Sequence, residues 1–549
     1  MRRILGWAAA LALIAGLCAT IPTAGATSRV HTAPALTLPA HADGLSRSLA
    51  SGHISPAKEA LLRAQALFRP ARVAAVYGPI ARTGGDATMI LRDLAVRLDG
   101  LTPSDRRAAH AILARPTDPF NATNNPDGWS VAEAAGSPDC GPNICIHWAS
   151  GTGGDAPSST DTTPANGIPD YVDQALATAE NVWNQEVDVM GYRAPLSDAT
   201  STDHGPDGRL DIYLSNLGPQ FLYGYCTSDD PGLDTDALTA SAYCVVDNNY
   251  TERIFRNHTP LQNLKVTLAH EFFHAVQFSY NIGADRWLME GTATWMEDQV
   301  YDGINDNRQY LQNSQLKYPW VPLDHSNGCC FQYGSWIWFR FLSESMDASV
   351  IHEIWDRADA ASGGPDDYST QAIRQVLAAH HTSFRKTFAS FAVWNRIPRQ
   401  RYSEGKAGRY PTPVGSGSFA LGAAHTSTGW LAVKLKHMSS IYVTFKPGRS
   451  DGPRAHLTVQ FDGPRYGDGP EGRLMVFTRS GAVAVKTYKL NRNGDGSLRV
   501  GFGRGHVSKV VLIETNASTR FTCWKTSQYS CMGTPLDDGR LYAFRAHIS

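Results

Sequence analysis

Residues 266–280 read VTLAHEFFHAVQFSY, and within them HEFFH sets His270 and His274 four positions apart with Glu271 directly after the first. Few local structures accommodate that pattern. On a helix, positions i and i+4 lie one above the other on one face, close enough for two imidazoles to reach one ion. Thr259-Pro260 supplies a helix start about ten residues before His270, so the motif falls well inside a helix. Neutral imidazole suits zinc, and a catalytic site of this kind uses three protein ligands with a fourth position open to water. Glu271 then stands where a general base is needed. The competing reading is a core helix in which Phe272, Phe273 and Val276 pack and both histidines are merely hydrogen-bonded.

A third ligand separates the two readings. Downstream, DRWLMEGTATWMED spans residues 285–298. Asp285 is a good N-cap for a second helix, with Trp287, Leu288 and Trp295 as packing anchors and Glu290 one turn inside. A turn at NIGAD, with Gly283, lets the two helices fold back antiparallel and brings Glu290 to the histidines. A carboxylate in so apolar a helix needs a partner, because burying it unpaired is costly. A carboxylate simply favoured near a helix N-terminus is the alternative. Thr294 and Glu297, one and two turns further on, are candidates for holding the ligands in place, a surface position for Glu297 being the other option.

HEFFH followed by WLMEGTATWMED resembles the gluzincin metallopeptidases, and WL-x-EG-x-A is similar to the ligand helix of the aminopeptidase N type. The resemblance implies His270, His274 and Glu290 as zinc ligands and Glu271 as the base. It also implies a catalytic role for Tyr333, which precedes Gly334 and a helix as does the tyrosine that stabilises the oxyanion in that type. A core tyrosine is the alternative, and His325 is a second candidate donor. No GxMEN-type segment for gripping a substrate amino terminus occurs, which favours an endopeptidase. HEFFHAVQF, NGIPDYV, DGRLDIYL and YGSWIW together are similar to a bacterial family of exported proteins of metalloprotease type, first noted in myxobacteria, over roughly residues 50–400.

The amino terminus reads MRRILGWAAALALIAGLCATIPTAGATS. Arg2 and Arg3, the apolar run from Ile4 to Leu17 and the small residues Ala24-Gly25-Ala26 together predict a signal peptide over residues 1–26 and export from the cell. That run is too short to span a bilayer, and no other stretch is apolar enough, so no stable membrane insertion is expected. Eight cysteines remain after its removal, and their grouping predicts bridges 140–145, 226–244 and 523–531. Cys329 and Cys330 would then form a vicinal bridge or pair elsewhere. A net charge of −1 gives no electrostatic reason to expect nucleic acid as partner. The expected form is a monomer acting on a protein or peptide substrate. Sequons stand at Asn121, Asn249, Asn257 and Asn516.

With 42% apolar and 18% charged residues the chain is globular, and its patterns divide it into segments. Residues 27–130 form an N-terminal helical segment, seen in AKEALLRAQALF and DATMILRDLAVRL, with a helix start at Thr102-Pro103-Ser104-Asp105. It is either a propeptide or a helical part of the mature protein. Residues 131–404 read as a mainly helical, zincin-like catalytic domain with a small β-sheet. Within it, NGIPDYVDQALATAENVWNQEVDVMGY predicts one long helix. Residues 415–549 alternate apolar and polar positions, as in Leu431/Val433/Leu435, Ile441/Val443/Phe445, Leu457/Val459/Phe461 and Leu498/Val500/Phe502, and predict an all-β sandwich. The fold class is therefore α+β. Two acid-and-glycine turns, one with Asp161, Asn166 and Asp170 and one with Asp203, Asp207 and Asp211, are candidate calcium loops, with ordinary Asx turns as the alternative. Two further functional readings stay open at this point. One is a non-catalytic extracellular binding or adhesion protein on a peptidase-like fold, the other a zinc hydrolase of a non-peptide bond.

Overall fold

The computed structural model describes residues 43–80, 86–118, 128–235, 237–326, 330–448, 452, 454–525 and 527–549. The expected signal peptide, Asn121 and Cys329 lie outside these residues. The fold is mixed α/β.

Five short helices come first: α1 (Gly44–Ala50), α2 (Pro56–Phe68), α3 (Pro70–Tyr77), α4 (Ala87–Ala95) and α5 (Pro103–Leu113). Ser55 and Thr102 cap α2 and α5 by accepting from backbone N–H groups, each with proline at the first helical position. A five-stranded sheet follows, built from β1 (Asp139–Cys140), β2 (Ile144–His147), β3 (Leu210–Ser215), β4 (Gly224–Thr227) and β5 (Tyr243–Asp247) in the order β1-β2-β3-β5-β4. The pairs β2–β3 and β3–β5 are parallel. β4 runs antiparallel to β5 at the edge, where Cys226 faces Cys244 and is bridged to it.

Between β2 and β3 lies α6 (Asp170–Trp183), and the chain then widens into a π-wound turn over Asn184–Val189. The long helix expected here is therefore regular only in its first half, and the wider turn buries Glu186. After the sheet come α7 (Pro260–Asn281) and α8 (Arg286–Val300). The helical part ends with α9 (Phe331–Gly334), α10 (Trp336–Ser345), α11 (Ser349–Ala358), α12 (Ser369–Ala379), α13 (Phe384–Arg396) and α14 (Pro398–Arg401). One core joins all of this: Leu61, Met89 and Leu91 from the first helices meet Ile212 and Val245 of the sheet and Phe272, Trp287 and Trp336 beyond it.

The last part is all β, from β6 (Gly417–Leu421) to β16 (Arg540–Ile548). One sheet has β7 (Ser427–Leu435), β9 (His456–Asp462), β12 (Asp495–Gly501) and β16. The other has β6, β8 (Ser439–Pro447), β10 (Pro470–Thr478), β11 (Val483–Thr487) and β13 (Val507–Asn516). A small ribbon of β14 (Phe521–Thr522) and β15 (Thr534–Pro535) stands apart. The alternating positions do what period two requires: Val433, Val443, Phe445, Val459, Phe461 and Phe544 point into one shared core between the sheets. Asn516 is fully buried and donates to the Asp537 carbonyl, so its sequon is closed to a glycan in the folded chain.

The β part is docked on the helical part. Ala392 and Val393 of α13 pack against Met475, Val511 and Ile513. Beside this contact, buried Asp324 accepts from His437 Nε2 at 2.9 Å and from the backbone N–H of Ser530 at 3.0 Å, while His437 Nδ1 meets Asp538 at 2.5 Å. Burial alone would lower the His437 pKa, but the two carboxylates raise it from 6.5 to about 9. Its stabilisation is therefore full below pH 6.5 and is lost as pH rises through about 9. The gain is of the order of 3 kcal/mol. Melting followed between pH 6 and 10 is expected to show that loss in the native chain, and a flatter profile in His437→Gln.

Among the described residues no helix is long and apolar enough to cross a membrane. Bridges Cys140–Cys145, Cys226–Cys244 and Cys523–Cys531 are all formed, which suits an oxidising compartment. Cys330 is also disulfide-bonded.

Candidate metal centre

A capping box at Thr259 and Gln262, with Pro260 after the cap, starts α7 firmly. Ten residues on, His270 and His274 sit on one face, their ring centroids 4.8 Å apart. Residues 281–285 reverse the chain, and α8 returns along α7. Asp285 occupies the N-cap position of α8 but makes no side-chain cap bond. Its carboxylate instead accepts from Ser369 Oγ at 2.5 Å and from the backbone N–H of Cys531 at 2.9 Å, tying the helix start to the C-terminal part. Trp287, Leu288 and Trp295 anchor α8 in the core as expected. Gly291, next to Glu290, is needed because a Cβ there would stand 2.7 Å from the Phe339 ring.

Glu290 Oε2 lies 3.2 Å from His270 Nε2 and 3.7 Å from His274 Nε2. These three residues form a group able to hold a metal ion. The outward nitrogens are held in turn: His270 Nδ1 faces Glu297 at 2.8 Å, and His274 Nδ1 faces Gln277 Oε1 at 2.7 Å. Such partners orient an imidazole and fix which nitrogen is free to bind a cation. Glu297 is thus buried at the centre rather than on the surface. Thr294 is also buried, but its hydroxyl has no hydrogen-bond partner, so it does not support the ligands by hydrogen bonding. Burial would push the Glu290 carboxyl up, yet the hydrogen bond with His270 and the nearby His274 bring it down to about 2. Burial likewise opposes charge on His270, but Glu290 and Glu297 raise its pKa well above the ordinary value. Glu297→Ala is expected to weaken metal binding by about 10–100-fold while leaving one equivalent bound at saturation, measured by competition with a chromophoric chelator.

Glu271 lies on α7 beside edge strand β4, and Gly224 allows the approach: a Cβ there would stand 3.1 Å from Glu271 Cγ and 2.7 Å from Thr267 Cγ2. Tyr333, on α9, has its ring centroid 6.0 Å from that of His270 and stacks on Tyr310 at 4.9 Å. It is both a buried aromatic and a neighbour of the centre. Burial, reinforced by the Glu290 carboxylate, raises its pKa well above the usual phenol value. His325 packs instead on Phe331 and on Tyr529 of the C-terminal part. Glu186, brought in by the π-wound turn, is buried with neither oxygen hydrogen-bonded, and its raised pKa reflects burial opposed by the charge of His270. Nothing in the sequence singled out Glu186, Gln277 or Tyr310.

The acids of the two turns are held by partners within the chain, and among the described residues none of them falls in a group that could hold a metal ion. Asp161 accepts from the N–H groups of Asn166 and Gly167, and Asp170 from those of Thr162 and Thr163. Asp207 pairs with Arg209, Asp203 accepts from Thr117, and Asp211 is held between Arg115 and His147. Asx turns form at Asn166, which accepts from the Ile168 N–H, and at Asp207, which accepts from that of Arg209, while longer-range bonds hold the rest of the first turn and a buried ion-pair network much of the second.

The fold and this centre define a mixed α/β protein with a buried His–His–Glu group suited to a metal. More particularly, the chain belongs to the family of unknown function DUF6055, which matches residues 108–457. The matched stretch begins within α5, so it holds every residue of the centre but not α4. No curated protein matches the chain. Among solved structures, it is similar to CorA, a surface-associated copper-binding protein of Methylomicrobium album BG8, at 11% identity and TM-score 0.14, over 24% of this chain and 96% of that one. It is also similar to a family GH115 4-O-methyl-α-glucuronidase, BtGH115A, at 9% identity and TM-score 0.13, over 66% of this chain and 54% of that one. At those scores neither likeness bears on fold or function.

Proposed function

We propose that the chain is an exported zinc-dependent peptidase that hydrolyses peptide bonds of extracellular proteins or peptides. The observation that supports this reading is the convergence of two imidazole nitrogens and one carboxylate oxygen beside a separate carboxylate on the same helix. Tetrahedral ligands about 2.0–2.1 Å from zinc stand roughly 3.3–3.4 Å apart. The observed separations of 3.2 and 3.7 Å bracket that spacing. A bound zinc ion would supply Lewis acidity, polarising the scissile carbonyl and lowering the pKa of water. Because His270 binds a cation only as the neutral imidazole, loading would release a proton and strengthen with pH.

Glu271 takes the proton of the attacking water and passes it to the leaving amine. Tyr333, kept protonated by its burial, donates to the oxyanion that develops on the carbonyl. Glu297 and Gln277 keep the two imidazoles aimed at the centre throughout. Edge strand β4 beside Glu271 suits a polypeptide, because an extended substrate can add to it as a further strand. The disulfides and the leader-like amino terminus support export.

The test is bound zinc per chain together with cleavage of casein and of a peptide library, for the whole chain lacking residues 1–26 and after limited proteolysis. One equivalent of zinc with no cleavage by either form would sink the enzyme reading.

A further inference from the structure

β4 is the edge strand of its sheet, yet all four of its residues are buried. Both α7 and α4 pack against it, and it is α4 that reaches an outward-facing N–H of the edge. Thr88 of α4 donates its hydroxyl proton to Glu271 Oε2 at 2.8 Å and accepts from the backbone N–H of Cys226, on β4, at 3.0 Å. One side chain thus engages both the carboxylate proposed as base and an edge-strand donor that an extended substrate would use. The helix is clamped in place. Arg92 donates to the carbonyls of Ile282 and Ala284, in the turn between the two ligand helices, at 3.2 and 2.8 Å. Arg286, the first residue of α8, donates to Asp86 and Asp93 at 2.8 Å each. The centre beneath is closed: His270, Glu271, His274 and Glu290 are 8, 7, 1 and 1% exposed.

A covered sheet edge is ordinary protection against unwanted pairing. Such protection does not require the covering helix to bind the carboxylate beside a metal-ligand pair. We infer that α4 occupies the substrate groove formed by β4 and the metal centre, so that the chain as folded is latent and an extended polypeptide gains access only when α4 is displaced. The inference rests on the peptidase reading for its substrate, but the closure itself can be read without catalysis.

Access then scales with the fraction of molecules in which α4 is out of the groove. The clamp residues Arg92 and Asp93 make their bonds to the turn between the ligand helices and to Arg286, away from the groups that bind metal or move a proton, so Arg92→Ala/Asp93→Ala loosens the helix and leaves the chemistry intact. In the zinc-loaded whole chain lacking residues 1–26, this variant is expected to cleave casein at least about tenfold faster than the native chain, and to lose zinc to EDTA at least about tenfold faster. Equal rates of both kinds would overturn the inference. Faster zinc loss with no casein cleavage by either form would uphold the closure and refute the peptidase. Equal zinc loss with no cleavage would refute both. Should the double variant fail to fold, as judged by thermal melting, Thr88→Val replaces only the hydroxyl, by a methyl. The same two rates are then expected to rise several-fold, and no change in either would overturn the inference.

Discussion

Replacing Glu271 by glutamine is expected to leave one zinc ion bound and to lower peptide turnover by about 10²–10⁴-fold, the usual contribution of a general base. Glutamine keeps the size of the side chain and its place beside β4, where Gly224 leaves room. It replaces the basic carboxylate that takes the water proton by a non-basic amide. The metal-holding group is His270, His274 and Glu290, to which Glu271 does not belong, so occupancy and affinity should hold. The contact from Thr88 can survive, since the amide oxygen still accepts from the hydroxyl. The comparison belongs in the Arg92→Ala/Asp93→Ala background, where the groove is open, with zinc content measured on the same samples. A glutamine variant that turns over substrate at the native rate would remove Glu271 from the mechanism. One that loses its zinc would make it a ligand.

Replacing Glu290 by alanine is expected to weaken zinc binding by well over a hundredfold, more than the 10–100-fold typical of removing a residue that only supports a ligand. Two imidazoles remain, but the site loses its one anionic ligand and with it the charge that offsets the cation. Glu290 is 1% exposed, so water does not readily take the vacated position. Thr294→Ala, on the same helix, removes a hydroxyl without a hydrogen-bond partner and should change affinity by no more than about twofold. Competition with a chromophoric chelator reads all three variants, Glu290→Ala, Glu297→Ala and Thr294→Ala, on one scale. Comparable affinities for Glu290→Ala and Thr294→Ala would remove Glu290 from the ligand set.

Much of the centre was legible in the sequence because local rules carry it. A cap and proline at Thr259-Pro260 define where α7 begins, helical periodicity stacks His270 on His274, and a short turn returns α8 with Glu290 one turn in. The sandwich strands were legible for the same reason: period two leaves only one face of each strand to bury. Cysteine grouping predicted three bridges, each closing residues that the sheets or loops bring together locally. Where local rules were the only guide they also misled. Asp285 has the chemistry of a cap, but the docked C-terminal part offers its carboxylate the Cys531 N–H instead. The long helix after Pro169 has no breaker in its sequence, yet its second half opens into a π-wound turn that buries Glu186.

The sequence by itself determined the two helices of the centre, the three residues of the candidate metal group and the all-β character of the last part, since each depends on spacing within one or two neighbouring elements. Only the tertiary structure decided that Glu297 rather than Thr294 holds His270, that Asp324 and His437 join the two parts of the chain, and that Thr88 meets Glu271 across 183 residues. Those contacts depend on how elements far apart in the chain pack, and neither periodicity nor spacing records that.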